Sequence, residues 1–148
     1  MREIKFRAWD NIGKEMTEVD TMLWNHPAPK DGWNPKYLKL KYNDNTFSEM
    51  IHIFDHKHFV NIMQYTGFHD KNGKEIFEGD IINIRIDKKG DVGRNFSIIW
   101  FDGAWYLNDM ISSLRNFTDE YGDKCNNDKK VIIEIKGNIY ENPKLLTK

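Results

Sequence analysis

Short stretches in which apolar and polar residues alternate recur along the chain, and a period of two is typical of half-buried β-strands. In the first half of the chain these predicted strands cover residues 4–9, 15–19 and 36–42. In the second half they cover residues 63–67, 81–86, 96–100, 104–107 and 131–135. Many short strands at regular spacing favour a mainly β fold, either a barrel or a sandwich.

Turn-forming residues separate several of these strands. Asn72-Gly73 suits a tight hairpin turn in which both central residues have a positive φ, and Asp102-Gly103 is a second hairpin signature. Gly79 precedes the strand at residues 81–86, where a glycine permits the sharp corner of a small β-barrel. Structural turn roles are therefore predicted for Asn72, Gly73, Gly79, Asp80 and Gly137.

Four segments depart from the simple strand pattern. Residues 25–35 and 119–130 are rich in turn-forming and polar residues, which predicts loops. Residues 47–58 fit a helix by one spacing and a strand by another, and we prefer the strand. Asn108 is predicted to cap a short helix. The apolar face of that helix would comprise Met110, Ile111, Leu114 and Phe117.

Composition and charge narrow the class of protein. The chain has 148 residues, 22 basic and 23 acidic side chains, and a formal net charge of -1. This balance excludes a generally polycationic nucleic-acid coat protein, although it allows a local basic patch. Cys125 is the only cysteine, so no internal disulfide is expected. With no signal-peptide pattern and no bilayer-length apolar stretch, the sequence predicts a soluble cytoplasmic protein.

Three blocks of sequence resemble proteins of the YopX family, in the same order along the chain. The first block is residues 4–10, IKFRAWD. The second comprises residues 63–67, MQYTG, and residues 70–82, DKNGKEIFEGDII. The third is residues 135–146, IKGNIYENPKLL. Residues 21–60 and 88–130 match no motif of the family.

The resemblance implies a fold and a biological setting. It implies a mainly β protein with an SH3-like barrel component, found in bacteriophages and in prophages of bacteria. It supplies no catalytic residues, cofactor or substrate. We accordingly expect an N-terminal strand-and-loop region at residues 1–62 and an SH3-like barrel at residues 63–148. The two regions are predicted to pack as one unit with at most one short helix.

Histidines form the densest group of potential metal ligands. On a helix His52 and His56 would share one face, and on a strand His52, His56 and His58 would. Asp55 and Glu49 lie nearby in sequence. Imidazole and carboxylate ligands suit a transition metal, but this spacing matches no established zinc pattern. A solvated polar face explains the same residues. The sequence therefore predicts neither a metal nor a cofactor. A metal site at these three histidines is the alternative interpretation.

Motifs of the common catalytic classes are absent from the sequence. There is no nucleophile elbow, zinc-protease motif or dinucleotide-binding motif, and a glutamate follows each Gly-Lys pair where a phosphate-binding loop needs serine or threonine. Carboxylates are concentrated at Asp70, Glu75, Glu78 and Asp80. Turn chemistry explains Asp70 and Asp80, and the two glutamates are expected on opposite faces of a strand. We therefore expect no enzyme.

Basic and aromatic residues lie close together in the second half of the chain. A nucleic-acid site is conceivable at Arg85, Lys88, Lys89, Arg94 and Trp105, beside Trp100, Phe101 and Tyr106. Residues 36–42 have a similar mixture of lysine and tyrosine. Against this, the aromatic residues of a small β protein are needed mostly for its core. A near-zero net charge also disfavours tight phosphate binding.

The sequence thus ranks three functions. First is a non-catalytic phage or prophage accessory protein that binds a protein partner or itself, in the cytoplasm of the bacterial host. Second is a weak nucleic-acid-binding module that uses residues 85–106. Third is a metal-dependent enzyme built on His52, His56 and His58.

Overall fold

The computed structural model describes residues 3–24, 35–48, 51–52, 60–86, 89–109, 112–117 and 131–147. These residues form β-strands and two short 3-10 helices, and none of them lies in an α-helix. The strands are β1 (Phe6–Asp10), β2 (Glu15–Trp24), β3 (Pro35–Lys41), β4 (Ile51–His52), β5 (Val60–His69), β6 (Glu75–Phe77), β7 (Asp80–Ile86), β8 (Arg94–Phe101), β9 (Ala104–Leu107) and β10 (Val131–Asn138). The 3-10 helices are η1 (Leu114–Phe117) and η2 (Pro143–Leu146). The prediction of a mainly β fold is confirmed.

The chain divides into two compact units. The first unit comprises Ile4–Gln64, and the second comprises Met1–Glu3 with Tyr65–Lys148. The boundary predicted from the sequence, after residue 62, lies two residues earlier. Strand β5 contributes to both units, because its first half pairs with β1 and its second half pairs with β6. That the two regions pack as one unit stays a prediction.

The first unit is an antiparallel sheet in the strand order β4-β3-β2-β1-β5. Its core contains Ala8, Leu38, Leu40 and Val60. Leu38 and Leu40 are buried while the intervening Lys39 is half-buried, so the alternation predicted for residues 36–42 is confirmed at residues 38–40. Ile51–His52 pairs with β3, which confirms the preferred strand at that point of residues 47–58. Residues 25–34, 49–50 and 53–59 lie outside the described residues.

The second unit contains an antiparallel sheet in the strand order β10-β7-β8-β9. Each of its four strands contributes a buried side chain to one core: Ile133, Ile82, Ile98 and Leu107. Leu114 of η1 and Ile76 of β6 are buried in the same cluster. Side chains on the opposite face of this sheet alternate with these core residues, as the pleat of a strand requires.

The two predicted hairpin turns differ in the structure. Asp102 and Gly103 have φ of 47° and 77° between the paired residues Phe101 and Ala104, so the two-residue turn is confirmed. In the other turn, Gly73 has φ of 78°, but Asn72 is not among the described residues with positive φ. The predicted positive φ at Asn72 was wrong, because the N–H of Asp70 donates to the carbonyl of Lys74 and closes a wider turn, in which Asn72 still lies.

The predicted helix after Asn108 is wrong at its start. The N–H of Asn108 donates to the carbonyl of Ser97 at 2.9 Å and so continues the β8–β9 ladder instead of opening a helix. Helical structure begins only at Leu114, after the N–H of Ser112 donates to Asp109 Oδ1 at 3.0 Å. Leu114 is buried and Phe117 packs against the core, as predicted. Residues 110 and 111 lie outside the described residues.

Candidate functional site

The carboxylate of Asp70 holds the tip of the β5–β6 hairpin against β10. Its oxygens accept hydrogen bonds from the N–H groups of Asn72 at 2.8 Å, Lys74 at 3.0 Å and Ile135 at 3.2 Å. Desolvation raises the pKa of this carboxyl, but the backbone donors outweigh it and the pKa is lowered. The N–H of Lys71 also donates to the carbonyl of Ile133 at 2.9 Å. Asp70 therefore has a structural role, because its carboxylate stabilises the β5–β6 turn and joins it to β10.

A glutamate on the outer face of β10 lies between two lysines. Glu134 Oε2 is 2.8 Å from Lys71 Nζ, and Glu134 Oε1 is 2.9 Å from Lys136 Nζ. The hydrogen bonds from Lys71 and Lys136 lower the pKa of Glu134 to about 2. This ion-pair group, together with Asp70, is called the Asp70 network below.

Gly79 lies between β6 and β7, and Asp80 is the first residue of β7. Gly79 has φ of 74°, donates its N–H to the carbonyl of Ile98 at 2.9 Å and accepts the N–H of Ile139 at 2.9 Å. Asp80 is 2% exposed, and its Oδ2 accepts the N–H of Phe77 at 2.8 Å. A carboxylate that closes a buried turn in this way has a structural role.

The remaining residues predicted for turns or for acid–base chemistry are Gly137, Glu75 and Glu78, and each lies in or beside a strand. Gly137 lies at the register shift of β10, where an added Cβ would overlap the side chain of Asn142. Glu75 begins β6, whereas Glu78 follows the end of that strand. The prediction that the two glutamates occupy opposite faces of one strand was therefore wrong for Glu78.

The histidine group falls largely outside the described residues. The backbone of His52 lies in β4, but His56 and His58 are not described. In the described part of the chain, no three or more side chains of histidine, cysteine, aspartate or glutamate form a group that could hold a metal ion. A metal site at these histidines stays a prediction.

Two tryptophans face each other across the β8–β9 hairpin. Trp100 and Trp105 are directly paired in register, with ring centroids 4.6 Å apart at an interplanar angle of 65°. Trp105 is 5% exposed and belongs to the core, whereas Trp100 is 49% exposed. Trp105 is the ring that the sequence predicts to stack on a base, but Trp100 presents the accessible ring. Phe101, on the opposite face, is 47% exposed and contacts Tyr106 edge-on.

An open cleft of about 510 Å³ lies beside these tryptophans. Its apolar lining includes Trp100, Trp105, Tyr65 and Phe68, and Arg115 and Glu3 are among its polar lining residues. We call it the tryptophan cleft. Thr66 also lines it, but the Thr66 hydroxyl already donates to the carbonyl of Ile76 at 2.7 Å.

A second cleft, of about 440 Å³, lies where β7 and β8 are connected. We call it the arginine cleft. Its lining includes Arg85, Arg94, Val92, Phe96, Leu107 and Phe117. Asp91 lines it too, and its two carboxylate oxygens accept the N–H groups of Ile86 at 2.7 Å and Gly93 at 2.9 Å.

The structure therefore divides the predicted nucleic-acid residues into two places. Arg94 begins β8 and Trp100 lies near its other end, about 20 Å away at the rise of a β-strand. Arg85 and Arg94 line the arginine cleft, and Lys89 is exposed in the nearby connection. Lys88 lies outside the described residues. Nucleic-acid binding by this set stays a prediction.

The sequence pattern did not single out Trp100 as the exposed ring, and it did not place Phe117 and Arg115 beside the clefts. One signal for Trp100 was present. A two-residue turn at Asp102-Gly103 fixes the register, so Trp100 and Trp105 must share a face. No sequence signal shows which of the two rings η1 leaves uncovered.

The structure defines a mainly β protein that has open clefts in its second unit and a set of carboxylates committed to turns. The model of a family described as YopX protein matches residues 5–147, and the chain belongs to the YopX family. It is also similar to the protein in "Crystal structure of protein EF1440 from Enterococcus faecalis". That match has 30% identity, covers 99% of each chain and has a TM-score of 0.61.

None of the curated proteins matches the chain. No helix of the described residues is long and apolar enough to cross a membrane.

Proposed function

We propose that the chain is a non-catalytic binding protein whose tryptophan cleft docks a protein partner, either a different protein or a second copy of the chain. The observation that carries this proposal is the half-exposed ring of Trp100 above the buried ring of Trp105, at an open cleft. Tryptophan is among the residues most enriched at the energetic centres of protein interfaces.

The cleft has the features of a prepared apolar site. Trp105 is anchored in the core with Leu107 and Leu114, so the floor beneath Trp100 is rigid. A partner that covers Trp100 removes a large apolar surface from water without first ordering this floor. Arg115 and Glu3 also line the cleft and add polar groups of both signs to its border.

The carboxylates with shifted pKa values support a role without catalysis. Hydrogen bonds from backbone N–H groups lower the pKa of Asp70, and contacts with Lys71 and Lys136 lower that of Glu134. The hydroxyl and N–H of Thr46 lower the pKa of Asp44. Each shift therefore has a local structural cause, whereas a catalytic acid or base needs an unengaged face toward a substrate.

Within this proposal, the second unit is an SH3-like barrel module. The meander β7-β8-β9, the short η1 helix and the return of β10 to β7 support that interpretation. We further propose that the protein acts in the cytoplasm of a bacterial host as a phage or prophage accessory protein. Membership of the YopX family supports this setting.

Self-association gives the first test of the proposed function. Light scattering over a wide concentration range is compared for the wild type and the Trp100→Ala variant. If the partner is a second copy, the mass of the wild type should rise above 17.6 kDa while that of the variant stays there. Leu23→Ala is the matched control, since Leu23 is a similarly exposed apolar residue in the first unit.

Affinity capture tests a different partner. Both variants and the wild type are used as bait in lysates of bacteria carrying a phage, and captured proteins are quantified by mass spectrometry. We expect at least one protein that Trp100→Ala loses about tenfold or more, as for an interface hot spot, and that Leu23→Ala retains. A wild type that stays monomeric and captures the same proteins as Trp100→Ala would contradict the proposal.

A further inference from the structure

Among the residues that the structure describes, the lining of the arginine cleft holds two cations, Arg85 and Arg94, and one carboxylate, Asp91. Within the part of the chain that the structure describes, neither Arg85 nor Arg94 forms an ion pair, and Lys89 adds a third exposed cation nearby. The acidic side chain of the lining, Asp91, is held by the N–H groups of Ile86 and Gly93. Cations beside an apolar cavity in a chain of net charge -1 favour an anionic ligand.

The apolar part of this cleft suits a side chain better than a nucleotide base. Ile84, Ile86 and Val131 supply aliphatic surface, and the two phenylalanines of the lining pack against the core. Bases bind single-stranded nucleic-acid sites by stacking on exposed aromatic faces. Trp105, the ring that would have served for stacking, is buried in the core.

The entrance to the cleft is preformed. Gly93 has φ of 68°, and a Cβ there would lie 2.5 Å from the carbonyl oxygen of Ile84. The side-chain amide of Asn83 donates to Asn95 Oδ1 at 2.9 Å and to the carbonyl of Val92 at 3.3 Å. These contacts hold Val92 and Gly93 beside the cleft, and they leave the side chain of Val92 84% exposed at the entrance. A ligand therefore meets an ordered apolar anchor beside the arginines.

We propose that the arginine cleft is a second binding site, which takes an acidic peptide segment of a partner protein. An apolar side chain of that segment enters the cleft, and a neighbouring carboxylate pairs with Arg94, because a guanidinium fork matches a carboxylate in geometry and charge. The proposal rests on the chain being a protein-binding protein, but it does not depend on the tryptophan cleft.

A random peptide library, selected against the immobilised full chain, provides the test. Selected peptides should combine aspartate or glutamate with leucine, isoleucine or valine. In fluorescence anisotropy, Arg94→Glu should weaken binding of a selected peptide about tenfold or more, as expected for reversing a charge that pairs with the ligand. Lys144→Glu is the charge-matched control, since Lys144 is an exposed residue outside the lining of the arginine cleft. It should change binding little.

Comparison with Trp100→Ala separates this proposal from the proposed function. Peptides that lose binding with Trp100→Ala but bind Arg94→Glu normally would support the tryptophan cleft and overturn the arginine site. Selected peptides without enrichment in acidic residues would also overturn it. A twelve-nucleotide single-stranded DNA that binds the wild type, displaces the peptide and fails to bind Arg94→Glu would reassign the cleft to nucleic acid.

Discussion

Two groups of charged residues in the second unit differ in what surrounds them. In the Asp70 network, both carboxylates interact with groups of the same chain. Asp70 accepts hydrogen bonds from backbone N–H groups, and Glu134 forms ion pairs with two lysines. In the arginine cleft, Arg85 and Arg94 have no ion pair among the described residues. Charged side chains that stabilise the fold can therefore be distinguished from those available to a ligand by the contacts they make in the structure. Their neighbours in the sequence do not distinguish them.

The distinction has an energetic basis. A polar group in a structural network is expensive to remove, because its former partners lose a hydrogen bond that water cannot readily replace. A solvated cation without a partner contributes little to folding, so replacing it changes stability little. Substitutions in the Asp70 network should consequently lower stability more than ligand binding, and substitutions in the arginine cleft should lower ligand binding more than stability.

The largest expected effect on stability is that of Asp70→Ala. The substitution leaves the N–H groups of Asn72, Lys74 and Ile135 without their acceptor, and we expect it to lower the free energy of unfolding by about 2–3 kcal/mol. Urea denaturation followed by tryptophan fluorescence measures the change. Asp44→Ala is the matched control, because Asp44 also accepts an N–H within a turn but is exposed. An equal loss in both variants would contradict the structural role of Asp70.

The next largest effect on stability is expected at Gly93, which lines the arginine cleft. Gly93→Ala should lower the free energy of unfolding by about 2 kcal/mol, because the added Cβ meets a backbone carbonyl at a positive φ. Gly73→Ala shares the positive φ but has open space around the new Cβ, so its loss should be about 1 kcal/mol. Equal losses, measured by urea denaturation, would show that the close approach at Gly93 adds nothing.

Acid should weaken the Asp70 network. The pKa of Asp70 is lowered in the folded protein and that of Glu134 is lowered to about 2. Because a depressed folded pKa stabilises the fold above the unfolded pKa, this contribution is lost as pH falls from about 4 toward 2. The urea midpoint should fall over that range, and less steeply in a variant combining Asp70→Asn with Glu134→Gln. The arginines stay charged throughout and add no such dependence.

Much of the fold could be predicted because alternation and turn chemistry are local. Leu38 and Leu40 alternate with lysines, and Asp102-Gly103 forms a two-residue turn, so neither needs distant information. The turn at Asn72-Gly73 depended on Asp70, whose side chain also reaches Ile135 in a strand 65 residues away. Such long-range hydrogen bonds have no signature in the local sequence.

The clefts were harder to predict than the strands. Arg94 and Trp100 are close in sequence, but an extended strand places them at opposite ends, so one predicted site became two places. Arg85 and Arg94 line one cleft because β7 and β8 pair in antiparallel register, with Ile84 opposite Arg94. Composition alone also could not show which of two facing tryptophans is covered.

The smallest expected effect on stability belongs to Arg94→Glu. Arg94 is exposed at the first residue of β8 and has no ion pair among the described residues, so the free energy of unfolding should change by less than about 0.5 kcal/mol. Urea denaturation of this variant beside Asp70→Ala measures both ends of the comparison. A loss at Arg94 approaching that at Asp70 would place the arginine in the fold and remove its availability for a ligand. If Arg94→Glu leaves the free energy of unfolding nearly unchanged and weakens peptide binding about tenfold or more, structural charges and ligand-binding charges are separate groups of residues.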